Sequence, residues 1–432
     1  MKKTFYMVLV MLCLQTAENI VYSNSENQSG SPFSQSQFVP DISFILDLAY
    51  IERDITDTTR QSLFIPGMTY SSEYLSSIDD DTASEQNGRG FSFNYGEMNI
   101  ASVVDPYFDL FVNLSFTEEG VEFEEGYFTS RSFPFGFQLK AGKFLSSFGR
   151  LNEQHGHFWD FFDQPLIYSV VFGEGNLNET GMRLTWVAPF DFYMMLGVEA
   201  LQGRNSASFG IKGFSDVQHN VTVDDSRGPN LYVAYLKYSY DFDTLTLLMG
   251  GSGALGKTRL NMALDQSGIQ GEGYNGSTHI WGGDITLKYL IDSFRYISLQ
   301  AEYIIKTFDG RQYTQDTADN ISSAECEKVQ SGMYAQLVLK PFLQWRFAAR
   351  YDLLNKNRIE YNGTRDTEYP ENMPRYSCMI DYNPTEFSRF RIQYNHDRSH
   401  YYKENNEYVN KPNNEIIVQC NLSIGAHGAH SF

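Results

Sequence analysis

Segments of about ten residues with alternating apolar and polar side chains constrain this chain more than any other feature. One face of the last segment carries Ile416, Val418, Cys420, Leu422 and Ile424. The other face carries Ile417, Gln419, Asn421 and Ser423. A period of two indicates β-strands, and about ten residues let a tilted strand cross the hydrocarbon of a bilayer. The pattern predicts an all-β fold, a transmembrane antiparallel up-and-down β-barrel over residues 40–432.

The connections between these segments alternate between long polar stretches and tight turns. Residues 397–412, 309–329 and 257–277 are long and polar, whereas residues 383–386 and 340–343 are tight. Counting the segments between them gives about sixteen strands, and an even number is typical of bacterial barrels. We therefore expect short periplasmic turns, long extracellular loops and no plug domain.

The first residues have the pattern of a secretory signal peptide. Lys2 and Lys3 precede an apolar run at residues 5–14 that is too short to span a bilayer as a helix, and Ser23 suits a cleavage site. We predict a signal peptide at residues 1–23 and a disordered, Ser- and Gln-rich periplasmic leader at 24–39. The final residue, Phe432, resembles the terminal aromatic that the barrel assembly machinery reads.

Charge and cysteine content narrow the list of partners. The formal net charge is −20, which argues against a nucleic-acid partner. Four cysteines in 432 residues are too few for a disulfide scaffold. Beyond the first segment, Cys326, Cys378 and Cys420 are odd in number and widely separated, so we interpret these three as unpaired. Outer-membrane lipid and small solutes remain the expected partners, and a homotrimer is an alternative that the periodicity does not address.

Residues 147–175 form a long loop that is rich in aromatic residues. A loop so apolar is expected to fold into the barrel and narrow it, rather than extend into water. The alternative is a lid or a subunit contact on the outer surface. The residues expected at the constriction are His155, His157, Trp159, Asp160 and Asp163.

Side chains in phase with the polar face are expected to line the lumen and meet water. The predicted pore-lining residues are Glu122, Glu124, Lys140, Arg183, Glu302, Lys306, Lys340, Arg346, Arg350, Arg375, Arg389 and Arg391. Five of the arginines (Arg346, Arg350, Arg375, Arg389 and Arg391) belong to adjacent C-terminal strands, and the first two glutamates to a fourth strand nearly opposite. We expect a transverse field that favours small polar or charged solutes. The alternative is that these charges only hydrate the pore and pair with each other.

Two histidines in the long loop suggest a metal site. His155 and His157 are separated by one residue, and Glu153 or Asp160 could complete a ligand set. Imidazole and carboxylate together suit zinc. The alternative is that the histidines serve hydrogen bonding and turn geometry.

A second histidine pair, His427 and His430, would point to opposite faces of a strand. The sequence contains no P-loop, no HExxH and no dinucleotide motif. We therefore predict no catalytic residues, no enzymatic activity and no cofactor other than the zinc alternative.

Several motifs resemble known families. Gly142, Phe144, Phe148 and Gly149 form a G-x-F-x-x-x-F-G strand that is similar to the phosphate-selective porin O/P type. The segments PDISFILDLAY (40–50), GRLNEQHGHFWDFFDQPL (149–166), GMRLTWVAP (181–189) and GAHGAHSF (425–432) more closely resemble proteins identified as zinc-regulated TonB-dependent outer-membrane receptors. This resemblance implies zinc-responsive expression or zinc transport, although the chain has no room for the plug of known TonB-dependent receptors.

Three functions are consistent with these expectations. The first is a porin for passive diffusion of small hydrophilic or ionic solutes. The second is a substrate-specific outer-membrane receptor or transporter, with zinc or another metal as cargo. The third is a surface adhesin that presents the acidic loops at residues 52–88 and 309–329.

Overall fold

Backbone hydrogen bonds run from each strand to the next and return from the last strand to the first. The computed structural model describes residues 40–68, 88–131, 133–216, 221–262, 264, 271–316, 318–355, 357–366, 369–405 and 407–425. The chain divides into the units Met1–Val39 and Pro40–Phe432, and every described residue belongs to the second. The predicted signal peptide, the leader, Phe432 and the pair at 427 and 430 lie outside the described residues.

Sixteen strands form the barrel wall. They are β1 (Asp41–Arg53), β2 (Gly90–Val103), β3 (Phe108–Thr117), β4 (Gly120–Ser130), β5 (Phe137–Leu145), β6 (Asn178–Val187), β7 (Tyr193–Leu201), β8 (Leu231–Phe242), β9 (Leu245–Met262), β10 (Gly271–Leu290), β11 (Tyr296–Gln315), β12 (Ile321–Lys340), β13 (Trp345–Leu354), β14 (Met373–Thr385), β15 (Ser388–Asp397) and β16 (Asn413–Gly425). Consecutive strands pair antiparallel, and β16 pairs with β1, with Ser43 opposite Gly425. The predicted closed, antiparallel, up-and-down barrel of sixteen strands is confirmed.

The two faces of the wall follow the alternation in the sequence. On β16, Ile416, Val418 and Ile424 are 49%, 45% and 69% exposed, whereas Gln419 and Asn421 are 4% and 8% exposed. Since exposed apolar side chains recur at every second position, the outer surface suits a hydrocarbon environment. The inner face carries the polar residues together with some apolar ones, such as Ile417, which is 1% exposed.

Four neighbouring strands, β9 to β12, extend far beyond what a bilayer requires. They contain 18, 20, 20 and 20 residues. The long loops predicted at 257–277 and 309–329 are therefore wrong, because pairing continues to Met262–Glu272 and Gln315–Ile321. Polar side chains mark where the strands leave the apolar layer, but the backbone ladder continues. One of the two loops of the adhesin hypothesis is thus a hairpin.

Shorter elements occupy the remaining connections. Three small hairpins lie at Phe214–Asp216 with Val221–Val223, Arg358–Tyr361 with Thr364–Asp366, and Tyr401–Glu404 with Glu407–Asn410. Helix α1 spans Asp57–Gln61 and helix α2 spans Leu166–Phe172, with 3₁₀ turns at Pro134–Gly136 and Gly156–Phe158. No helix among the described residues is long and apolar enough to span a bilayer.

The interior differs from the expected water-filled lumen. A cluster of buried apolar residues includes Phe144, Phe148, Ile167 and Phe172 together with the wall residues Ile304 and Tyr334. Many polar side chains of the inner face are buried as well, among them Glu302 and Arg391. The expectation that inner side chains meet water is therefore wrong for much of the wall, because residues 146–177 cover it.

Candidate functional site

Residues 146–177, which connect β5 to β6 and are called the crossing loop below, contact opposite walls of the barrel. The His155 ring lies 2.8 Å from a Glu125 carboxylate oxygen on β4. Asp160 accepts a hydrogen bond of 2.7 Å from Arg346 on β13. Since β4 and β13 are nearly opposite in the closed order, the loop passes through the interior. Its path is that of a constriction rather than of an outer lid.

The loop is seated at its start by a buried carboxylate. The backbone N–H groups of Arg150 and Leu151 donate to the two oxygens of Glu302 at 3.0 and 3.1 Å, and the Tyr168 hydroxyl donates to the same carboxylate at 2.7 Å. Burial and the adjacent Glu302 charge raise the pKa of Tyr168 well above its ordinary value. A predicted pore-lining residue thus holds the loop.

Gly149 permits this close approach. Its φ is +63°, a conformation in which side chains are strained, and an added Cβ would lie 2.4 Å from the Tyr168 hydroxyl and 2.5 Å from Glu302. Phe148 packs against Gly282 on β10, where an added Cβ would lie 2.9 Å from the ring. Within the G-x-F-x-x-x-F-G motif, the last phenylalanine and glycine therefore fix the loop to the wall.

Helix α2 supplies the apolar part of the seat. Its residues Leu166, Ile167, Tyr168, Val170, Val171 and Phe172 are buried. Burial of each such side chain stabilises by about 1.5–3 kcal/mol, so the six side chains together stabilise the seating of the helix by at most roughly 9–18 kcal/mol. Because this is large compared with a single ion pair, α2 is the fixed part of the crossing loop.

Acidic residues of the loop meet the predicted arginines. Asp163 lies 2.5 Å from Arg375 and 3.1 Å from Arg350, and these ion pairs hold the pKa of Asp163 below its ordinary value although burial would raise it. Both arginines also pair with Asp352 of the wall at 3.3 and 2.9 Å. Asp160 pairs with Arg346 at 2.7 Å. The loop is therefore anchored electrostatically on β13 and β14.

The remaining two arginines hold the loop backbone. Arg389 donates to the His157 carbonyl at 2.8 Å, and Arg391 donates to the Trp159 carbonyl at 3.1 Å. Arg391 also pairs with Asp381 at 2.8 Å. Trp159 is thus held mainly through its backbone. We call Arg346, Arg350, Arg375, Arg389 and Arg391 the arginine wall.

On the other side of the barrel, His155 and His157 of the crossing loop contact glutamates of β2 and β4. Nδ1 of His155 lies 3.8 Å from Glu97 and 3.4 Å from Glu124, and its Nε2 lies 2.8 Å from Glu125. His157 approaches the same Glu97 oxygen with Nδ1 at 3.2 Å. The two imidazole rings stack at 5.8 Å between centroids. We call Glu97, Glu124, Glu125, His155 and His157 the acidic cluster.

The two histidines of the acidic cluster differ in their electrostatics. Burial alone would lower the pKa of His155, but Glu97 and the hydrogen bonds to Glu124 and Glu125 hold it well above its ordinary value. For His157, burial prevails over Glu97 and lowers the pKa. His155 is therefore the stronger partner of the carboxylates.

The sequence identified only part of this cluster. Glu97 and Glu125 were missed, and the acidic partners proposed for the histidines were wrong. Glu153 pairs with Arg183 and Lys237, each at 2.7 Å, while Asp160 pairs with the arginine wall. The ion pairs of Glu153 lower its pKa although burial opposes them. Carboxylates from β2 and β4 take the place that we expected loop carboxylates to fill.

A β-bulge explains how Glu125 enters the interior. Asn113 on β3 lies opposite Glu125, but Leu114 lies opposite Phe123, so Glu124 is the extra residue. Both Glu124 and Glu125 then reach His155, which strict alternation forbids. Glu122 lies at the outer end of β4, with a side chain 71% exposed and Lys143 at 3.9 Å.

The other predicted lysines occupy separate places. Lys140 lies over the Tyr127 ring at 3.9 Å, and Lys340 is half-buried at the last residue of β12. Lys306 donates to the Ala207 carbonyl at 2.7 Å. Thus only part of the predicted pore-lining set contacts the crossing loop.

Lys306 also lines a cavity of about 190 Å³, which we call the lysine cavity. Lys328 and Lys403 share this lining with a single acidic residue, Glu272. Among the described residues, no carboxylate lies within ion-pair distance of the three lysines. The cavity therefore carries an excess of positive charge.

The charges of the inner wall are largely paired with residues of the crossing loop. Arginines do lie on one wall and glutamates on the opposite wall. However, the loop places aspartates against the arginines and histidines against the glutamates. Most of the expected transverse field is therefore compensated by pairing, which was the alternative expectation.

Comparisons with known proteins agree with the barrel. No family model matches the chain. The fold is similar to OmpT, an outer membrane protein of Vibrio cholerae, with a TM-score of 0.52, 11% identity, and coverage of 90% of this chain and 99% of OmpT. It is also similar to OprB of Pseudomonas putida, with a TM-score of 0.50, 9% identity, and coverage of 90% and 94%.

A protein of Aquifex aeolicus (strain VF5), described as uncharacterized, is 44% identical over 402 residues. The match covers 93% of this chain and 82% of that protein. Such identity over nearly the whole barrel extends beyond likeness of fold. The chain therefore belongs to the same protein family as this Aquifex aeolicus protein.

Proposed function

We propose that the protein is an outer-membrane channel for passive diffusion of small hydrophilic or ionic solutes, with the crossing loop as its constriction. The observation that carries the proposal is the loop itself, anchored to arginines on one wall and glutamates on the other. A barrel of sixteen strands is wide enough for an aqueous channel once the interior is polar. A loop fixed across it then limits the size of the solute.

The half-exposed charges near the loop support an aqueous path beside it. Glu153 and Lys237 retain 34% and 20% side-chain exposure, and Asp160 and Arg346 retain 25% and 19%. Apolar packing around α2 fills the rest of this level. We therefore propose a narrow, charged passage rather than an open pore.

The lysine cavity bears on ion preference. Its lining carries three lysines and one glutamate, so it attracts anions more than cations. It is also lined by hydroxyl groups, including those of Ser208 and Thr258, which suit a hydrated or oxygen-rich solute. We propose a preference for small anionic solutes within the general channel function.

Planar-bilayer recording of the purified protein tests the function. Stepwise currents and a reversal potential of the anion-selective sign in a salt gradient are expected. The heat-denatured protein, added at the same detergent concentration, is the control for detergent leakage. Absence of current steps from correctly folded protein at every voltage would rule out the channel.

A substrate-specific receptor for zinc or another metal is the second candidate, because the acidic cluster brings carboxylates to the histidines. The resemblance of residues 149–166 to zinc-regulated receptors also supports this candidate. Zinc titration of the His155→Ala, His157→Ala variant distinguishes it: unchanged binding would remove the histidine site.

We further propose insertion into the outer membrane through the assembly machinery, using the C-terminal strand, after removal of the signal peptide. A homotrimer is proposed because the OmpT fold also occurs in a trimer form. A shallow outer groove over β7 to β11 contains Gly251 and Gly253 and suits close approach of a second copy. Cross-linking of intact membranes should give trimers that the Gly251→Trp variant lacks; monomers in both would contradict this.

A further inference from the structure

We infer that Glu97, Glu124 and His155 form a binding site for a divalent cation, which joins β2 and β4 to the crossing loop. This inference rests on the metal candidate proposed above and names its ligands; it does not depend on the channel function. The ligand atoms of these three residues all lie within 4.8 Å of one another. That spacing lets one ion contact all three after small side-chain movements, since metal–ligand bonds measure about 2 Å.

The surrounding contacts orient the donor atoms toward a shared point. Asn99 and Asn113 donate to Oε1 of Glu97 at 3.0 and 2.6 Å, whereas Oε2 faces the two histidines. Nε2 of His155 is held by Glu125 at 2.8 Å, which directs Nδ1 toward Glu97 and Glu124. Metal-ligating histidines commonly bind a carboxylate through their far nitrogen, which fixes the orientation of the ring.

Charge supplies an independent argument for a cation. Three carboxylates approach one imidazole from different sides. Among the described residues, the ion pairs of Glu97 and Glu124 involve only His155 and His157. Three carboxylates exceed two imidazoles, so the cluster is negative whether or not the rings are protonated, and burial makes that excess costly. A divalent ion would offset it.

The donor set indicates the class of ion. One imidazole nitrogen and two carboxylate oxygens suit a divalent transition metal of the zinc type better than magnesium or calcium, which prefer oxygen ligands alone. His157 lies beside the set, with Nδ1 3.2 Å from Glu97, and could supply a further nitrogen. Zn²⁺ is therefore the probe of choice, with Mg²⁺ as the comparison.

The position of the site gives it a mechanical consequence. Glu97 and Glu124 belong to the wall, whereas His155 belongs to the crossing loop. An ion bound by all three would tie the loop to β2 and β4, on the side opposite the arginine anchors. Metal binding should therefore reduce loop mobility as well as occupy the cluster.

Isothermal titration with Zn²⁺ tests the site in the purified, folded barrel. One ion per chain is expected, and Co²⁺ should give the visible absorption bands of a nitrogen- and oxygen-ligated ion. Glu97→Gln and His155→Ala should abolish both signals, and Glu125→Gln should weaken binding by about 10–100-fold. Glu122→Gln is the matched control, because this exposed carboxylate on the same strand makes no contact with His155 among the described residues.

Glu124→Ala is a second test variant that should fold even if the variants at buried positions do not. The Glu124 side chain is 31% exposed, so its removal leaves little buried charge unpaired. It should also weaken Zn²⁺ binding, with the heat-modifiable mobility of the folded barrel unchanged. Zinc affinity unchanged in Glu124→Ala and His155→Ala, or no binding to the unaltered protein, would overturn the site. Current steps with no zinc binding would reject the site and retain the channel; zinc binding without current would do the reverse.

Discussion

Removal of the charge on Asp163 should loosen the crossing loop from the arginine wall. Asp163 lies 2.5 Å from Arg375 and 3.1 Å from Arg350, and it accepts a hydrogen bond of 2.6 Å from Gln393. Asp163→Asn keeps the shape of the side chain but replaces the anion with a neutral amide. The arginines retain Asp352, so the variant weakens the anchor rather than stranding two buried cations.

The expected magnitude follows from these contacts. A hydrogen bond to a charged group is worth about 1.5–3 kcal/mol, and the pairing with Asp352 limits the loss to about 2–3 kcal/mol in total. Since 1.4 kcal/mol corresponds to a factor of ten, the ratio of detached to attached loop should rise roughly 30- to 150-fold. Helix α2 stays seated, because its apolar burial is unaffected.

Single-channel recording measures this change. Asp163→Asn should show more frequent or longer visits to a higher-conductance state than the unaltered protein. Asp109→Asn is the control: its ion pair with Arg131 at 3.4 Å is about half exposed and worth little. Identical conductance and dwell times in Asp163→Asn and the unaltered protein, with both correctly folded, would refute the role of this anchor.

Three further outcomes are expected from the contacts of Asp163, Gly149 and the lysine cavity. The pKa of Asp163 is lower in the folded protein than its ordinary value of 3.8. Its pairing with Arg350 and Arg375 is therefore fully present above pH 3.8 and is lost as the pH falls through the lowered pKa. Gln393 and Asp352 are the other groups near this carboxylate and its arginines. The higher-conductance state should therefore appear only in acid, and an equal acid response in Asp163→Asn would contradict this. Gly149→Val forces a side chain into a left-handed backbone conformation, which costs about 1–2 kcal/mol before the clash with Tyr168 is counted. The variant should therefore be cleaved faster by proteases in the crossing loop of the folded barrel. An unchanged cleavage rate would contradict the role of Gly149 in fixing the loop to the wall. Lys328→Met, which removes a cavity-lining charge, should shift the reversal potential away from anion selectivity, while Lys212→Met, at an exposed loop position, should leave it unchanged. Equal shifts would exclude the lysine cavity.

The barrel was predictable because the information that specifies it is local. Every second residue of β16 is apolar, and that period alone assigns Ile416 and Val418 to the outside and Gln419 to the inside. The position at which a strand ends depends less on the local sequence. In β11 and β12 the ladder continues to Gln315 and Ile321 although the side chains have become polar, so sequence polarity placed the turn too early.

The site was only partly predictable, because it depends on contacts between distant residues. The aromatic content of residues 147–175 indicated an inward path, but not which wall each end would meet. The bulge that brings Glu125 beside Glu124 leaves no signature in the alternation. Glu97 lies 58 residues before His155 in the chain, and only the closed barrel brings the two together.

Chemical cross-linking between the loop and the wall tests the central claim most directly. With Cys326, Cys378 and Cys420 replaced, a short bifunctional thiol reagent should link Asp160→Cys to Gln336→Cys on β12, because these side chains lie 2.8 Å apart in the unaltered protein. Pairing Asp160→Cys with Glu124→Cys, on the opposite wall, should give little product. Equal yields from the two pairs, or no link between positions 160 and 336, would contradict a loop fixed across the barrel.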